Sequence, residues 1–400
     1  MTSTAFVRTP TTWLAYLLTG YFLYLQSALG PLMPFLRAEL GIGYTTASLH
    51  FSAFALGVLP AGLLGERLSG AFGRRRMVWG GGFLMAAGAA LLMAGGHPAV
   101  TLAGTLVMGM FGGLLLMNVQ ATLSDAHDEA RSVAISESNV VASLCAVVAP
   151  LAIGAFERAG ILGWRGAVLA AVAALALVFW RFRDAPVPNA EPVDADSKTV
   201  SSGPLPLLFW GYCAVLALGV AVEWSMAFWG AAFLQDEVGF RAADAATLMG
   251  AFFVAMLLGR AAGSRLARRV SSTSILLGAQ LVAIGGFALF WLVPLAASGA
   301  WGAASSVAGL FVTGLGVANL YPFSLSAATG IVPGRADRAV ARIALVGGSA
   351  ILLAPFVLGS AADVFGIGKA YGVVLAILLS AVATTAMVNR RAAASGRSPS

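Results

Sequence analysis

Apolar runs of about 20 residues recur along the whole chain, separated by short polar stretches, and each matches the length of helix that crosses a hydrocarbon core of about 30 Å. The pattern predicts twelve spans at roughly 12–36, 45–69, 76–96, 98–123, 131–157, 163–183, 205–233, 243–266, 272–296, 302–330, 338–363 and 368–390. The first run starts near Trp13 and continues past Gly30 and Pro31 with no small-residue cleavage site, so it is expected to be a retained helix and not a secretory signal. An all-α polytopic membrane protein of twelve transmembrane helices is the expected fold class.

Composition supports that class. Of 400 residues 59% are hydrophobic and 10% charged, against about 25% charged in a typical soluble domain. An ordinary soluble protein is excluded. The net charge of +7 raises the question of nucleic acid, but the distribution of basic residues answers it. With the amino terminus inside, 19 Lys and Arg fall in or near cytoplasmic segments and five, Arg37, Arg158, Arg165, Arg241 and Lys369, fall outside, which accounts for all 24. Cytoplasmic loops retain Lys and Arg during insertion, so both termini are expected in the cytoplasm, the membrane is expected to be the cell inner (plasma) membrane, and no nucleic-acid partner is implied. Cys145 and Cys213 both lie in apolar runs, as packing thiols do.

The one long polar stretch, 184–204, carries Pro186, Pro188 and Pro192 with Asp184, Glu191, Asp194 and Asp196, and reads as a cytoplasmic linker. It separates an N-terminal six-helix bundle over 1–183 from a C-terminal bundle and short tail over 205–400. The halves repeat. Gly62 with Arg67, Arg74 and Arg75 corresponds to Gly259 with Arg265, Arg268 and Arg269, where 259 minus 62 gives 197. Ala149-Pro150 with Gly154 corresponds to Ala354-Pro355 with Gly359, where 354 minus 149 gives 205. Internal repeats of this kind place a transported solute near the bilayer midplane.

The six-plus-six arrangement, the basic loop Gly62-Leu63-Leu64-Gly65-Glu66-Arg67 followed by Gly73-Arg74-Arg75-Arg76, and Gly163-Trp164-Arg165 at the start of span six resemble the major facilitator superfamily over nearly the whole chain. The family's loop usually has Asp where Glu66 stands, and Leu68 to Phe72 makes this segment about three residues longer than the family's. The resemblance implies alternating access by rocking of two six-helix domains, with the first and fourth helices of each half lining the cavity.

Charges inside a bilayer are costly, so an intramembrane acid points to function. Glu223 lies beyond the middle of span seven with no charge within ten residues on either side. Gly219, Glu223, Met226 and Gly230 share one helical stripe, expected to be a cavity wall. Desolvation penalises a charged carboxylate, which suits Glu223 to loading and releasing a proton, or to binding a cation; the alternative is a hydrogen-bonded glutamate that locks helix packing. At the matching position of the first span stands Gln26, since 26 plus 197 gives 223. Tyr16, Gln26, Asn319, Trp224, Trp229 and Tyr321 are candidates to orient or wall a solute, with packing as the alternative for each, and Pro322 is expected to interrupt span ten. No Lys or Arg lies mid-span in helices one, four, seven or ten, so a neutral or cationic solute is expected over a phosphate or dicarboxylate.

A second set of charges lies near the cytoplasmic ends: Glu66, Arg67, Arg74, Glu137, Arg260 and Arg342. The family's packing implies the pairs Glu66 with Arg342 and Glu137 with Arg260 as a cytoplasmic gate; the alternative is interfacial charges that reach water.

His50, His97 and His127 are far apart and no Gly-x-Ser-x-Gly or phosphate-cradling Gly-x-x-x-x-Gly-Lys sequence occurs, which argues against an enzyme or a primary pump. His50 is expected to hydrogen-bond across helices. No cofactor or metal is expected, and the partners are a small-molecule solute, protons and membrane lipid around a monomer. The function expected is proton-coupled secondary transport, with drug/proton antiport or a transport-inactive sensor as alternatives. For antiport the family resemblance implies Gly-Pro-x-x-Gly-Gly in span five, where Pro150 and Gly154 match and Ala149 and Ile153 depart.

Overall fold

A computed structural model describes residues 6–127, 130–188, 204–297, 299–332 and 335–394. Most of the expected linker, with Lys198, and the tail residue Arg397 lie outside the described residues. Among the described residues fourteen helices follow in order: α1 (Pro10–Leu40), α2 (Tyr44–Phe72), α3 (Arg74–Ala94), α4 (Pro98–His127), α5 (Arg131–Ala159), α6 (Trp164–Phe182), α7 (Leu207–Asp236), α8 (Ala242–Leu266), α9 (Ser272–Ala296), α10 (Ala300–Val317), α11 (Leu320–Gly330), α12 (Ala336–Phe365), α13 (Ile367–Ala370) and α14 (Gly372–Ala394).

Among the described residues ten spans are long and apolar enough to cross a membrane, with α10 and α11 counted as one and α13 and α14 as another, and α2 makes eleven when its two arms are joined. The remaining long helix is α1, 31 residues long. Its apolar density is diluted by Thr11, Thr12, Tyr16, Thr19, Gln26 and Ser27. Together these elements are consistent with the expected twelve. Leu177, Trp180 and Trp301 are among the most exposed side chains, which is how a helix bundle meets lipid, with Trp enriched toward the interfaces.

Two interruptions have local causes. Pro60 lies inside α2, whose arms Tyr44–Gly62 and Leu64–Phe72 meet at 62°; proline removes one helical donor and crowds the preceding turn. In span ten the helix stops at Ala318 and Asn319 and restarts at Leu320. Pro322 therefore sits in the first turn of α11, where a missing N–H costs nothing, and the break falls one turn before the proline.

The chain divides into two compact units, 1–42 with 49–193, and 43–48 with 194–400. In unit 1, α1 packs on α5, α4 and α6, and α3 lies along α4. In unit 2, α7 packs on α12, α11 and α14, and α9 lies along α10. The wiring is the same, so the duplication read from the sequence extends to tertiary packing.

Two details repeat as well. A Cβ on Gly109 of α4 would stand 2.0 Å from the Phe54 carbonyl oxygen of α2, and one on Gly314 of α10 would stand 2.7 Å from that of Phe252 of α8. The offsets, 314 minus 109 and 252 minus 54, are 205 and 198, within one residue of those of the repeat. Lipid is as apolar as leucine, so helix association in a membrane draws on close backbone approach, and only glycine permits it here.

The second repeated detail joins the end of the first helix of each unit to the start of the last. Glu39 accepts from Arg165 Nη1 and Nη2 at 2.8 and 2.7 Å and from Trp164 Nε1 at 3.0 Å. Glu237 accepts from the Gly368 backbone N–H at 3.0 Å.

Candidate functional site

Glu223 stands midway along α7, and the structure gives it a partner from the neighbouring helix. Arg260 Nη2, near the end of α8, lies 3.6 Å from Glu223 Oε1, with side chains 47% and 17% exposed. Tyr321, in the first turn of α11 and partly exposed, lies within electrostatic range of the same carboxylate. Trp224 stacks obliquely on Phe228, centroids 4.9 Å apart, and leans on the buried cluster around Phe209, Tyr212 and Leu216.

The stripe expected to be a cavity wall is packed instead. A Cβ added to Gly219 would stand 2.8 Å from Leu320 and one added to Gly230 2.7 Å from the Met249 sulfur, and Met226 is fully buried. Small residues let a neighbouring helix close in, so here they serve helix approach and leave Glu223 and Trp224 as the partly accessible members of that stretch.

The other candidates divide by how their polar atoms are engaged. Trp229 is buried and donates from Nε1 to the Pro355 carbonyl at 2.9 Å. Asn319 is 8% exposed, and its Nδ2 donates to the Gly259 carbonyl at 3.0 Å, which ties the break in span ten to α8. Tyr16 is buried and donates its hydroxyl to Glu137 Oε2 at 3.0 Å. Gln26 is half-buried on α1.

Three expected gate charges, Glu137, Arg260 and Arg74, are paired inside their own units. Glu137 of α5 takes Arg8 Nη2 at 2.6 Å and Arg8 Nε at 2.8 Å, where the sequence led to Arg260 as its partner. The hydrogen bond to Glu137, and then the carboxylate charge, push the Arg8 pKa upward. Arg260 in turn belongs to Glu223. Arg74 is buried beneath the loop after α2, with Nη1 2.5 Å from Asp125 at the end of α4 and 3.3 Å from the Pro188 carbonyl. Glu66, Arg67 and Arg342 are exposed. His50 is fully buried, its Nε2 2.8 Å from Thr101 Oγ1, the cross-helix bond expected of it.

Arg8 and Asp125 are partners of candidate residues that sequence reasoning passed over, and Asp363 is a helix cap that it also passed over. Asp125 had a signal, an acid one turn beyond span four facing a basic loop. Asp363 had none: it comes from the end of α12, yet its two carboxylate oxygens accept the backbone N–H groups of Tyr44 and Thr45, each at 2.7 Å. These first residues of α2 count with unit 2. The residue before them is Gly43, which has no side chain to cap the helix.

Comparison with known proteins agrees with this architecture. An uncharacterized MFS-type transporter of Yersinia pestis is 25% identical over 368 residues, covering 91% of this chain and 92% of the relative. Among solved structures, the nucleoside transporter NupG matches with a TM-score of 0.79 at 14% identity over 95% of this chain and 100% of that one. The peptide transporter POT matches at 0.75 and 17% identity over 95% of each chain, and a bacterial homolog of the human lysosomal transporter Spinster at 0.72 and 14% over 96% of this chain and 97% of that one. At these identities the structural likeness concerns the fold. The sequence model of the Major Facilitator Superfamily matches residues 12–355, and with twinned six-helix wiring in both units the chain is a multi-pass membrane transporter protein that belongs to that superfamily.

Proposed function

We propose that this chain is a secondary active transporter of the inner membrane, moving a small neutral or cationic organic solute by alternating access with proton coupling through Glu223. The observation that carries the reading is the acid midway along α7 with an opposed guanidinium 3.6 Å away. A carboxylate retained at such depth costs several kcal/mol unless it is paired or protonated. A proton on Glu223 and the charge of Arg260 are therefore alternative ways of neutralising one group, which is what a coupling site requires. Tyr16, Gln26, Trp224 and Tyr321 contribute to orienting the solute, with Trp229 and Asn319 shaping it from behind through their backbone bonds. Glu66, Arg67, Arg74, Glu137 and Arg342 act at the cytoplasmic gate, while Arg260, expected there, is paired with Glu223 in the coupling site. Both termini are cytoplasmic, in line with the basic loops, and the protein works as a monomer with no cofactor, as a transporter and not an enzyme.

The test is reconstitution in liposomes with an imposed pH gradient. Glu223→Gln is expected to abolish gradient-driven accumulation. Accumulation at the wild-type level by this variant removes Glu223 from coupling, and saturable binding without any flux makes the chain a sensor.

A further inference from the structure

We infer that the Glu223–Arg260 pair is a charge-matched receptor for a zwitterionic solute, one carrying an ammonium and a carboxylate on the same small molecule. The inference rests on the transport reading above and narrows its solute class.

Among the described residues, Arg8 with Glu137, Arg74 with Asp125 and Arg165 with Glu39 close to direct contact at 2.6, 2.5 and 2.7 Å, while the exposed pair Arg75 with Asp184 stands at 4.0 Å. Glu223 and Arg260 stand open at 3.6 Å, beyond the usual length of a charge-assisted hydrogen bond. Each therefore keeps donor or acceptor capacity for a third group. Both side chains are partly accessible, and Tyr321 adds a hydroxyl-bearing ring on the same side. A receptor whose own pair were sealed would have to break a full ion pair to admit a ligand.

The sign of the ligand follows from the same geometry. A simple cation at Glu223 lies against the Arg260 guanidinium, and a simple anion at Arg260 lies against the Glu223 carboxylate; like charges at that range disfavour either. A zwitterion gives its ammonium to Glu223 and its carboxylate to Arg260, replacing one neutral pair by two. The loaded site then carries no net charge, so moving it through a low-dielectric region adds no uncompensated charge. Tyr321 supplies an aromatic face of the kind that attracts an ammonium group. The absence of Lys and Arg from mid-span in helices one, four, seven and ten is thus offset by α8, which delivers a guanidinium from outside those four.

The experiment is a thermal-shift and calorimetric comparison on the purified full chain. The probes are leucine, glycyl-leucine and glycine betaine, set against leucine methyl ester, which lacks the anion, and N-acetylleucine, which lacks the cation. At least one zwitterion is expected to bind ten-fold or more tighter than both single-charge analogues. Arg260→Gln is expected to lose that zwitterion and retain the ester, and Glu223→Gln to lose it and retain N-acetylleucine. If the single variants unfold, the exchanged double variant Glu223→Arg with Arg260→Glu replaces them, and is expected to bind the zwitterion again. Equal or tighter binding of a single-charge analogue by the wild-type chain overturns the inference, as does failure of every zwitterion to bind.

Flux measurements separate it from the reading it rests on. Zwitterion binding without gradient-driven uptake into liposomes rejects proton-coupled transport and keeps the charge-matched site. Gradient-driven uptake of a singly charged or uncharged solute does the reverse.

Discussion

Arg8 grips Glu137 with two parallel bonds, Nη2 to Oε1 at 2.6 Å and Nε to Oε2 at 2.8 Å, so the residue just ahead of the α1 cap is fastened to α5. Tyr16, two turns into α1, reaches the same carboxylate. One acid thus holds the start of α1 at two heights. Both partners are partly exposed, which makes the pair a weak contributor to overall stability but a local fastener of the helix end.

Glu137→Gln is therefore expected to loosen the α1 entrance without unfolding the protein. A cysteine placed at the buried position Ala15, with Cys145 and Cys213 replaced by alanine, should react with maleimide several-fold faster in the variant. Equal labelling rates would mean that the Thr9–Thr12 capping box holds the helix end without Glu137.

The backbone contacts of Gly109 and Gly314 make a paired prediction. Alanine at Gly109 drives its Cβ into the Phe54 carbonyl, and alanine at Gly314 into that of Phe252; overpacking of this kind costs about 1–3 kcal/mol. Both variants should melt several degrees below the wild type, Gly109→Ala the lower because its approach is closer. Gly80→Ala, with nothing within 4 Å of the added carbon, is the control expected to melt near the wild type. A normal melting temperature for Gly109→Ala would show that α2 and α4 can separate at no cost.

Asp363 supplies the cap that Gly43 lacks. Asp363→Ala should lower stability by about 1 kcal/mol, the usual value of a helix cap. In the wild type a side chain at Gly43 would press on the Asp363 carboxylate, 2.9 Å from the added Cβ, so Gly43→Ser alone should also destabilise. Combined, the two changes should recover most of the loss, because serine then caps α2 locally; a double-mutant cycle on thermal melts with purely additive losses would reject the capping role.

Much of the fold was legible from the chain. Run lengths fixed the membrane class, matching offsets near 197 and 205 exposed the duplication, and Pro322 placed a break in span ten to within one turn. These features are local, or repeat at fixed spacing, and need no knowledge of neighbours. Glu223 stood out because an acid without nearby charge in an apolar run is costly wherever its helix packs.

Partnership was a different matter. Helical period assigns Glu223, Gly219 and Met226 to one stripe but does not say which neighbouring helix meets it, and a rotation of one residue, about 100°, brings different side chains forward. Packing turned Gly219 and Gly230 toward Leu320 and Met249, spent Trp229 and Asn319 on backbone carbonyls, and brought Arg260 from 37 residues away in sequence to the Glu223 carboxylate. An acid within an apolar run can be found by reading along the chain; the charge that answers it cannot, because that depends on how helices rotate and settle against one another.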